Sequence, residues 1–224
     1  MTPNAELLRS LRHLVRGLSA LFWGLPLALI IGVQTARTDT FHAFRLFPPV
    51  FAAGWLLFGL LEAGQFQKQQ RGWRSALERA KLLAVINLGL APFLYWWNQA
   101  PGELLFNQMV ALLLLTAILF LSELNLALRR LAALLPDETL RADTNEFTAI
   151  NRLLLFALVA MVAVAFGLGR LPALPPWVAI GLELLERRAA WLLMAFVLVP
   201  LAMTMALLWK IKTALLDSVF TPKE

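Results

Sequence analysis

The chain has no cysteine, only two histidines and a single tyrosine. Without cysteine it cannot form a disulfide framework, a reactive thiolate, a zinc–thiolate site or a cysteine-ligated iron–sulfur cluster. It also lacks a glycine-rich phosphate loop, a paired-carboxylate metal motif and a nucleotide-binding fingerprint. Together these absences favour a protein that is not an enzyme and that holds no metal or cofactor.

Charged residues are scarce as well, at 15% of the chain against about 25% in soluble domains. Hydrophobic residues make up 60% of the 224 residues, and the mean hydropathy is +0.71. Soluble domains contain only about 45–50% apolar residues even with glycine included, and disordered chains contain fewer still. A water-soluble fold of this size cannot bury so much apolar surface, so the composition predicts an integral membrane protein.

Six apolar runs have the length of membrane spans. A helix needs about 20 mostly apolar residues to cross a hydrocarbon core of about 30 Å. The runs are Gly17–Ala36, Leu46–Ala63, Leu82–Trp97, Leu105–Leu126, Leu153–Gly169 and Ala189–Trp209. A further run, Leu171–Leu182, is short and interrupted by three prolines, which indicates an interfacial or partly re-entrant segment. The predicted fold is therefore all-α, a polytopic membrane bundle of six transmembrane helices.

The distribution of basic residues predicts the orientation of these spans. Of the 20 Lys and Arg residues, 15 precede the first span, lie in the second and fourth loops, or follow the last span. Because cytoplasmic loops retain Lys and Arg, both termini are expected in the cytoplasm, and the location predicted is a bacterial inner (plasma) membrane. The net charge of +6 then indicates contact with anionic inner-leaflet lipids rather than nucleic acid.

Three segments follow from this topology: an N-terminal helix (1–16), a six-span domain (17–209) and a cytoplasmic tail (210–224). Leucines occupy one face of the first segment, and Arg9, Arg12 and Arg16 occupy the other, as in a basic amphipathic helix on a membrane surface. The alternative is a helical extension of the first span. The second loop adds basic residues expected at the same surface: Lys68, Arg71 and Arg74.

Two carboxylates near the cytoplasmic ends of spans are candidate binding residues. Glu62 ends the second span and Glu123 lies near the end of the fourth. Ionisable groups in a membrane are costly and usually face the protein interior or a water-filled cavity. If these spans adjoin, the pair predicts a cation or proton site open to the cytoplasm. Alternatively, each carboxylate pairs with a basic residue at an inner helix end, such as Arg79, Lys81 or Arg152.

Neutral polar and small residues complete the candidate set. Asn87 and Asn125 are further binding candidates, although buried amides and hydroxyls such as that of Thr204 also join membrane helices through hydrogen bonds of about 0.6–2 kcal/mol. In the fifth span, small residues recur four positions apart and predict close packing within the bundle or against another subunit. These residues are Ala163, Ala165, Gly167 and Gly169. Pro26, Pro92 and Pro200 are expected to kink the first, third and sixth spans.

The leading functional hypothesis is a non-enzymatic transport subunit, permease-like or substrate-binding, in which the four binding candidates contact an ion or solute. Such a protein is expected to contain a polar cavity that reaches Glu62 or Glu123. The alternative is a structural accessory subunit of a larger membrane complex, with other membrane subunits or further copies of itself as partners. That role predicts a solid bundle. A lipid-acting enzyme is a third possibility.

Overall fold

The computed structural model describes residues 3–38, 44–66, 71–100, 102–135, 138–168 and 196–217, apart from the side chains of 3–8, 71, 162 and 165–168. These ranges contain seven helices and no strand, which confirms the all-α prediction. The helices are α1 (Pro3–Arg37), α2 (Phe47–Ala63), α3 (Arg71–Leu90), α4 (Phe93–Gln99), α5 (Leu104–Ala132), α6 (Glu138–Leu168) and α7 (Phe196–Asp217).

Four of the described helical segments are long and apolar enough to cross a membrane. They are Arg9–Arg37, Gly72–Gln99, Leu104–Ala132 and Phe196–Asp217. These segments overlap the first, third, fourth and sixth predicted spans. The second predicted span coincides with α2, which is apolar but only 17 residues long. The fifth falls in the second half of α6, and its last residue, Gly169, lies outside the described residues, as does Leu171–Leu182.

Apolar side chains also cover much of the outer surface of the bundle. On α5, Leu112, Leu115 and Leu119 are all more than 40% exposed and share one face, and on α1 the indole of Trp23 is 68% exposed. Soluble monomers rarely carry such continuous apolar surface, whereas a bilayer solvates it. The exterior therefore has the chemistry expected of a membrane-embedded helical protein.

Helix α1 runs without a break from Pro3 to Arg37, so the first sixteen residues are continuous with the first predicted span. A continuous helix corresponds to the alternative prediction, in which the N-terminal segment is a helical extension of the first span. Arg9, Arg12 and Arg16 are exposed, whereas Leu14 and Leu18 are buried on the opposite side. Contact of this basic face with lipid stays a prediction.

The prolines have different consequences. Helix α1 continues through Pro26. At Pro92 the helical path breaks, because α3 ends at Leu90 and α4 begins at Phe93 with Pro92 as its N-cap. A proline has no N–H to donate to the preceding turn, which explains why the break falls there. Pro200 lies in the first described turns of α7.

Small residues allow α1 and α2 to pack in direct backbone contact. A Cβ placed on Gly17 would lie 2.5 Å from the backbone nitrogen of Ala63 and 2.7 Å from the carbonyl oxygen of Gly59. No side chain fits in this space. The indole of Trp55 adds a hydrogen bond from Nε1 to the carbonyl of Ala20 at 3.1 Å. The two helices therefore form a tight antiparallel pair.

The bundle is solid at the end that carries the N-terminus. Here buried leucines and alanines from six helices form one core, including Leu14, Leu60, Leu77, Leu128, Leu140 and Leu208. Three carboxylates of this end, those of Glu62, Glu123 and Asp143, have partners on neighbouring helices. Lys210 of α7, for example, contacts Asp143 of α6 at 2.7 Å. Apolar burial and peripheral ion pairs thus close this half of the molecule.

Candidate functional site

The opposite half of the bundle contains a cavity of about 390 Å³. Its walls come from the outer parts of all seven described helices, between Leu25 and Arg37 on α1 and between Phe196 and Leu201 on α7. The volume lies within the range of about 300–1,000 Å³ that is usual for small-molecule sites. The cavity is therefore large enough for a ligand.

The dimensions of the cavity match those of one leaflet of a bilayer. Twelve residues separate Leu25 from Arg37 along α1, which corresponds to about 18 Å at 1.5 Å per residue. Half of a hydrocarbon core of about 30 Å is about 15 Å. Two lining residues are also substantially exposed, Val33 at 49% and Leu114 at 40%. The cavity thus communicates with the surroundings along apolar side chains.

Small residues create this space. On α1 the lining includes Ala28, Gly32 and Ala36, which recur four positions apart on one face, and on α5 it includes Ala117. A Cβ placed on Gly32 would meet no atom of the described residues within 4 Å. The α1 spacing is visible in the sequence but was not identified as a site, because the same pattern is typical of close helix packing.

Among the described residues that line the cavity, two have polar side chains, Asn87 and Arg37. Asn87 is the one binding candidate from the sequence that lines the cavity. The hydroxyl of Thr116 donates to Asn87 Oδ1 at 2.6 Å, a length typical of an O–H···O bond. The amide is thereby oriented, and among the described residues its Nδ2 has no acceptor. Arg37, the last residue of α1, was not among the candidates.

Glu62 and Glu123 do not line the cavity, and the structure gives them separate partners. Glu62 Oε2 lies 2.8 Å from His13 Nδ1 on α1, and Glu123 Oε2 accepts from Arg79 Nε of α3 at 3.0 Å. Arg79 is one of the partners named by the ion-pair alternative, whereas His13 was not foreseen. Arg79 is half exposed, so its pair contributes at most about 1 kcal/mol.

A buried polar cluster, Asn125, Asn151 and Thr204, joins α5, α6 and α7. The amides of both asparagines donate to Thr204 Oγ1, at 2.9 Å from Asn125 and 3.0 Å from Asn151. The Thr204 hydroxyl donates to the carbonyl of Pro200 at 2.8 Å. All three side chains are at most 2% exposed. Asn125, a binding candidate, therefore holds helices together in this structure.

The polar cluster lies next to the inner end of the cavity. Leu121, Leu155 and Leu201 line that end, and each is one helical turn from a member of the cluster. The Oδ1 atoms of Asn125 and Asn151 are buried and have no hydrogen-bond partner among the described residues. The cluster separates the apolar cavity from the solid half of the bundle.

The other sequence candidates lie apart from the cavity. Ala163 is exposed on α6, and so is Arg74 on α3. Gly169 and Lys68 lie outside the described residues, as do the side chains of Arg71, Ala165 and Gly167. The described residues contain no cluster of three or more His, Asp or Glu side chains that could hold a metal.

Comparisons of the chain with protein-family models, curated proteins and solved structures give no match. The inference of function therefore rests on the structure itself: a membrane-type helical bundle with an apolar cavity at one end.

Proposed function

We propose that the chain is a six-span inner-membrane protein with both termini in the cytoplasm, and that it binds an apolar chain in its cavity as a substrate-binding or permease-like transport subunit. The observation that carries this proposal is the cavity of about 390 Å³ between all seven described helices. With the basic loops in the cytoplasm, as this proposal has them, the cavity belongs to the leaflet away from the cytoplasm.

The composition of the lining supports an apolar ligand rather than an ion. The transport hypothesis from the sequence expected a polar cavity that reaches Glu62 or Glu123, and the cavity of this structure reaches neither. Apart from Arg37 and Asn87, the described residues of its walls are apolar, mostly leucine and alanine, and such walls favour hydrocarbon. A purely structural accessory subunit, by contrast, is expected to be solid throughout.

Filling the cavity tests the proposal. In a Gly32→Phe variant the new ring extends into open space beside Ala28 and Ala36, so we expect the folded protein to lose most of its bound hydrophobic molecule. The measurement is native mass spectrometry of the full chain purified in mild detergent, followed by identification of the molecule released. Wild-type protein is expected to retain such a molecule.

Gly54→Phe is the matched control. Gly54 also lies in an apolar helix, and a Cβ added there also meets no atom within 4 Å, but Gly54 does not line the cavity. This variant is expected to retain the ligand. Equal retention by wild-type protein and both variants would contradict the proposal, as would the absence of any bound molecule in all three.

A further inference from the structure

We infer that an anionic phospholipid binds on the outer surface of the α1–α2 pair. Its phosphate contacts Arg12 and Arg16, and one acyl chain lies along aromatic rings of α2. This site shares none of these side chains with the cavity, so the inference goes beyond the proposed function and does not depend on it. Three features carry it: exposed arginines without a carboxylate partner, a guanidinium stacked on a ring, and an apolar stripe of leaflet length.

The position of Arg16 along α1 matches the depth of phospholipid head groups. Arg37 follows Arg16 by 21 positions in one continuous helix, and no charged residue lies between them. At 1.5 Å per residue this separation is about 32 Å, and a hydrocarbon core of about 30 Å fits within it. In a bilayer, Arg16 therefore lies at one surface of the hydrocarbon and Arg37 at the other. Arg12 is one helical turn farther from the hydrocarbon.

The arginines give this end of α1 a positive face. Arg9, Arg12 and Arg16 are exposed and follow one another at about one helical turn, so they share that face. Among the described side chains, no carboxylate lies within ion-pair distance of any of them. Glu62, the single acidic residue of α2, contacts His13 instead. Because each arginine near a bilayer surface strengthens the binding of anionic lipid about fivefold, this face favours a phosphate.

A ring on α2 orients the guanidinium of Arg16. Its Cζ atom lies 5.3 Å from the ring centroid of Phe58, within the range of about 6 Å for a cation–π contact. Stacking uses one face of the planar guanidinium, and the N–H fork at its edge can still donate to phosphate oxygens. Arg12 lies one turn away on the same face of α1 and can donate to the same phosphate. The head group is thus recognised by two arginines, one of them held in place.

Aromatic residues continue from this point along α2 as one stripe. They recur three or four positions apart and share one face of the helix: Phe47, Phe51, Trp55 and Phe58. Neighbouring ring centroids are between 5.9 and 6.1 Å apart, and the first three side chains are each more than a third exposed. From Phe58 to Phe47 the stripe is about 16 Å long, close to half of a hydrocarbon core of about 30 Å. It therefore provides an apolar wall along which an acyl chain fits.

The test compares two phospholipids that differ in the charge of the head group. Full-length protein is delipidated in detergent and exposed to equal amounts of phosphatidylglycerol and phosphatidylcholine with the same acyl chains. Native mass spectrometry then identifies the first lipid retained by each protein molecule. We expect wild-type protein to prefer phosphatidylglycerol by about 25-fold, from about fivefold for each of two arginines. Arg12→Gln and Arg16→Gln are each expected to lower this preference about fivefold.

Arg129→Gln is the matched control. Arg129 is an exposed arginine at the same end of the bundle, but it lies on α5 and not on the α1–α2 pair. Because salt screens an exposed charge beyond about 10 Å, this variant is expected to change the preference by less than about twofold. Equal losses in Arg129→Gln and Arg16→Gln would show that the attraction is spread over the basic end, and would overturn the site. Equal binding of both lipids by wild-type protein would overturn it as well.

The Phe58→Leu variant tests the stacked ring separately from the charges. It keeps every arginine and an apolar side chain, but it removes the ring beneath Arg16. We expect the preference for phosphatidylglycerol to fall about two- to fivefold, the size of a cation–π contact at a partly exposed site. An unchanged preference would overturn the role assigned to Phe58.

Two further arms identify the source of the phosphate and the place of binding. Glycerol 3-phosphate carries a phosphate ester without acyl chains, and it is expected not to displace phosphatidylglycerol at equal concentration. Displacement would overturn the acyl-chain contact. Gly32→Phe, which fills the cavity, is expected to keep the full preference, because the surface site is separate. If Gly32→Phe abolishes the preference, the lipid lies in the cavity, and this inference fails while the proposed function stands.

Discussion

A Gly17→Ala variant is expected to destabilise the protein, although alanine is normally the better helix former. In a helix interior, alanine in place of glycine ordinarily stabilises by about 0.5–1 kcal/mol. At Gly17 the added methyl group would lie 2.5 Å from the backbone nitrogen of Ala63 and 2.7 Å from the carbonyl oxygen of Gly59. These are backbone atoms and cannot rotate away, so α1 and α2 must separate.

The expected loss is at the upper end of the range of about 1–3 kcal/mol for overpacking in a well-packed interior. It is measured as the free energy of unfolding from a titration with sodium dodecyl sulfate in mixed micelles. The matched control is Gly54→Ala on α2, where a Cβ meets no atom within 4 Å and where the change is expected to stabilise slightly. The two substitutions are therefore expected to change the free energy of unfolding in opposite directions. An increase in that free energy for Gly17→Ala would contradict the backbone contact between α1 and α2.

The second large effect is expected from Thr204→Val. This change preserves the shape of the side chain but removes the oxygen that accepts from both Asn125 and Asn151. The amides are at most 2% exposed and cannot turn to water. Each amide keeps a backbone acceptor, the carbonyl of Leu121 for Asn125 and that of Pro200 for Asn151, so one N–H of each loses its partner. A buried donor without an acceptor costs about 1–3 kcal/mol, and we expect a loss within that range in the same unfolding titration.

Thr213→Val is the control for this prediction. Thr213 lies on the same helix, and its hydroxyl donates to the carbonyl four residues earlier, that of Trp209, but the side chain is exposed. Its replacement is expected to change stability by less than about 0.5 kcal/mol. Replacing all three members of the polar cluster by Leu, Leu and Val should recover stability relative to Thr204→Val alone, because no buried donor is left unpaired. Equal effects of Thr204→Val and Thr213→Val would show that the cluster does not join the helices.

The helical, membrane-type character of the fold follows directly from the sequence, because it depends on composition and on the lengths of apolar runs. The break at Pro92 also follows, since proline lacks the N–H that would continue the helix. The exact extents of helices do not. Helix α1 begins well before its apolar run, because Leu14 is buried against other helices while the arginines beside it remain exposed.

The functional site was only partly predictable, for a specific physical reason. Gly17 lies in a tight contact with α2, whereas Gly32, on the same helix, lies beside an open cavity. Both residues are small enough to let a neighbouring helix approach closely. Whether a neighbouring helix does approach, or leaves a cavity, depends on the path of that helix. Asn87 was a candidate as an amide within a span, but its direction depends on Thr116, which belongs to another helix.

The two carboxylates, by contrast, were candidates from the sequence but do not line the cavity. Glu62 and Glu123 attracted attention because charge inside a membrane is costly. In the structure each has a nearby basic partner, and Glu123 is paired with Arg79 at the solid end of the bundle. Sequence identifies such groups reliably, but whether a partner satisfies them depends on which helices are neighbours. The two carboxylates therefore mark the closed end rather than the cavity.

The most direct test of the account is whether the two ends of the bundle lie on opposite sides of a membrane. Because the chain has no cysteine, single cysteines can be labelled without background at Gly72, the first residue of the candidate span Gly72–Gln99, and at Gly102, three residues after its end. Neither position has an atom within 4 Å of an added Cβ. With a membrane-impermeant thiol reagent on intact spheroplasts, we expect Gly102→Cys to react at once and Gly72→Cys only after permeabilisation. Reaction of both cysteines from the same side would contradict the account.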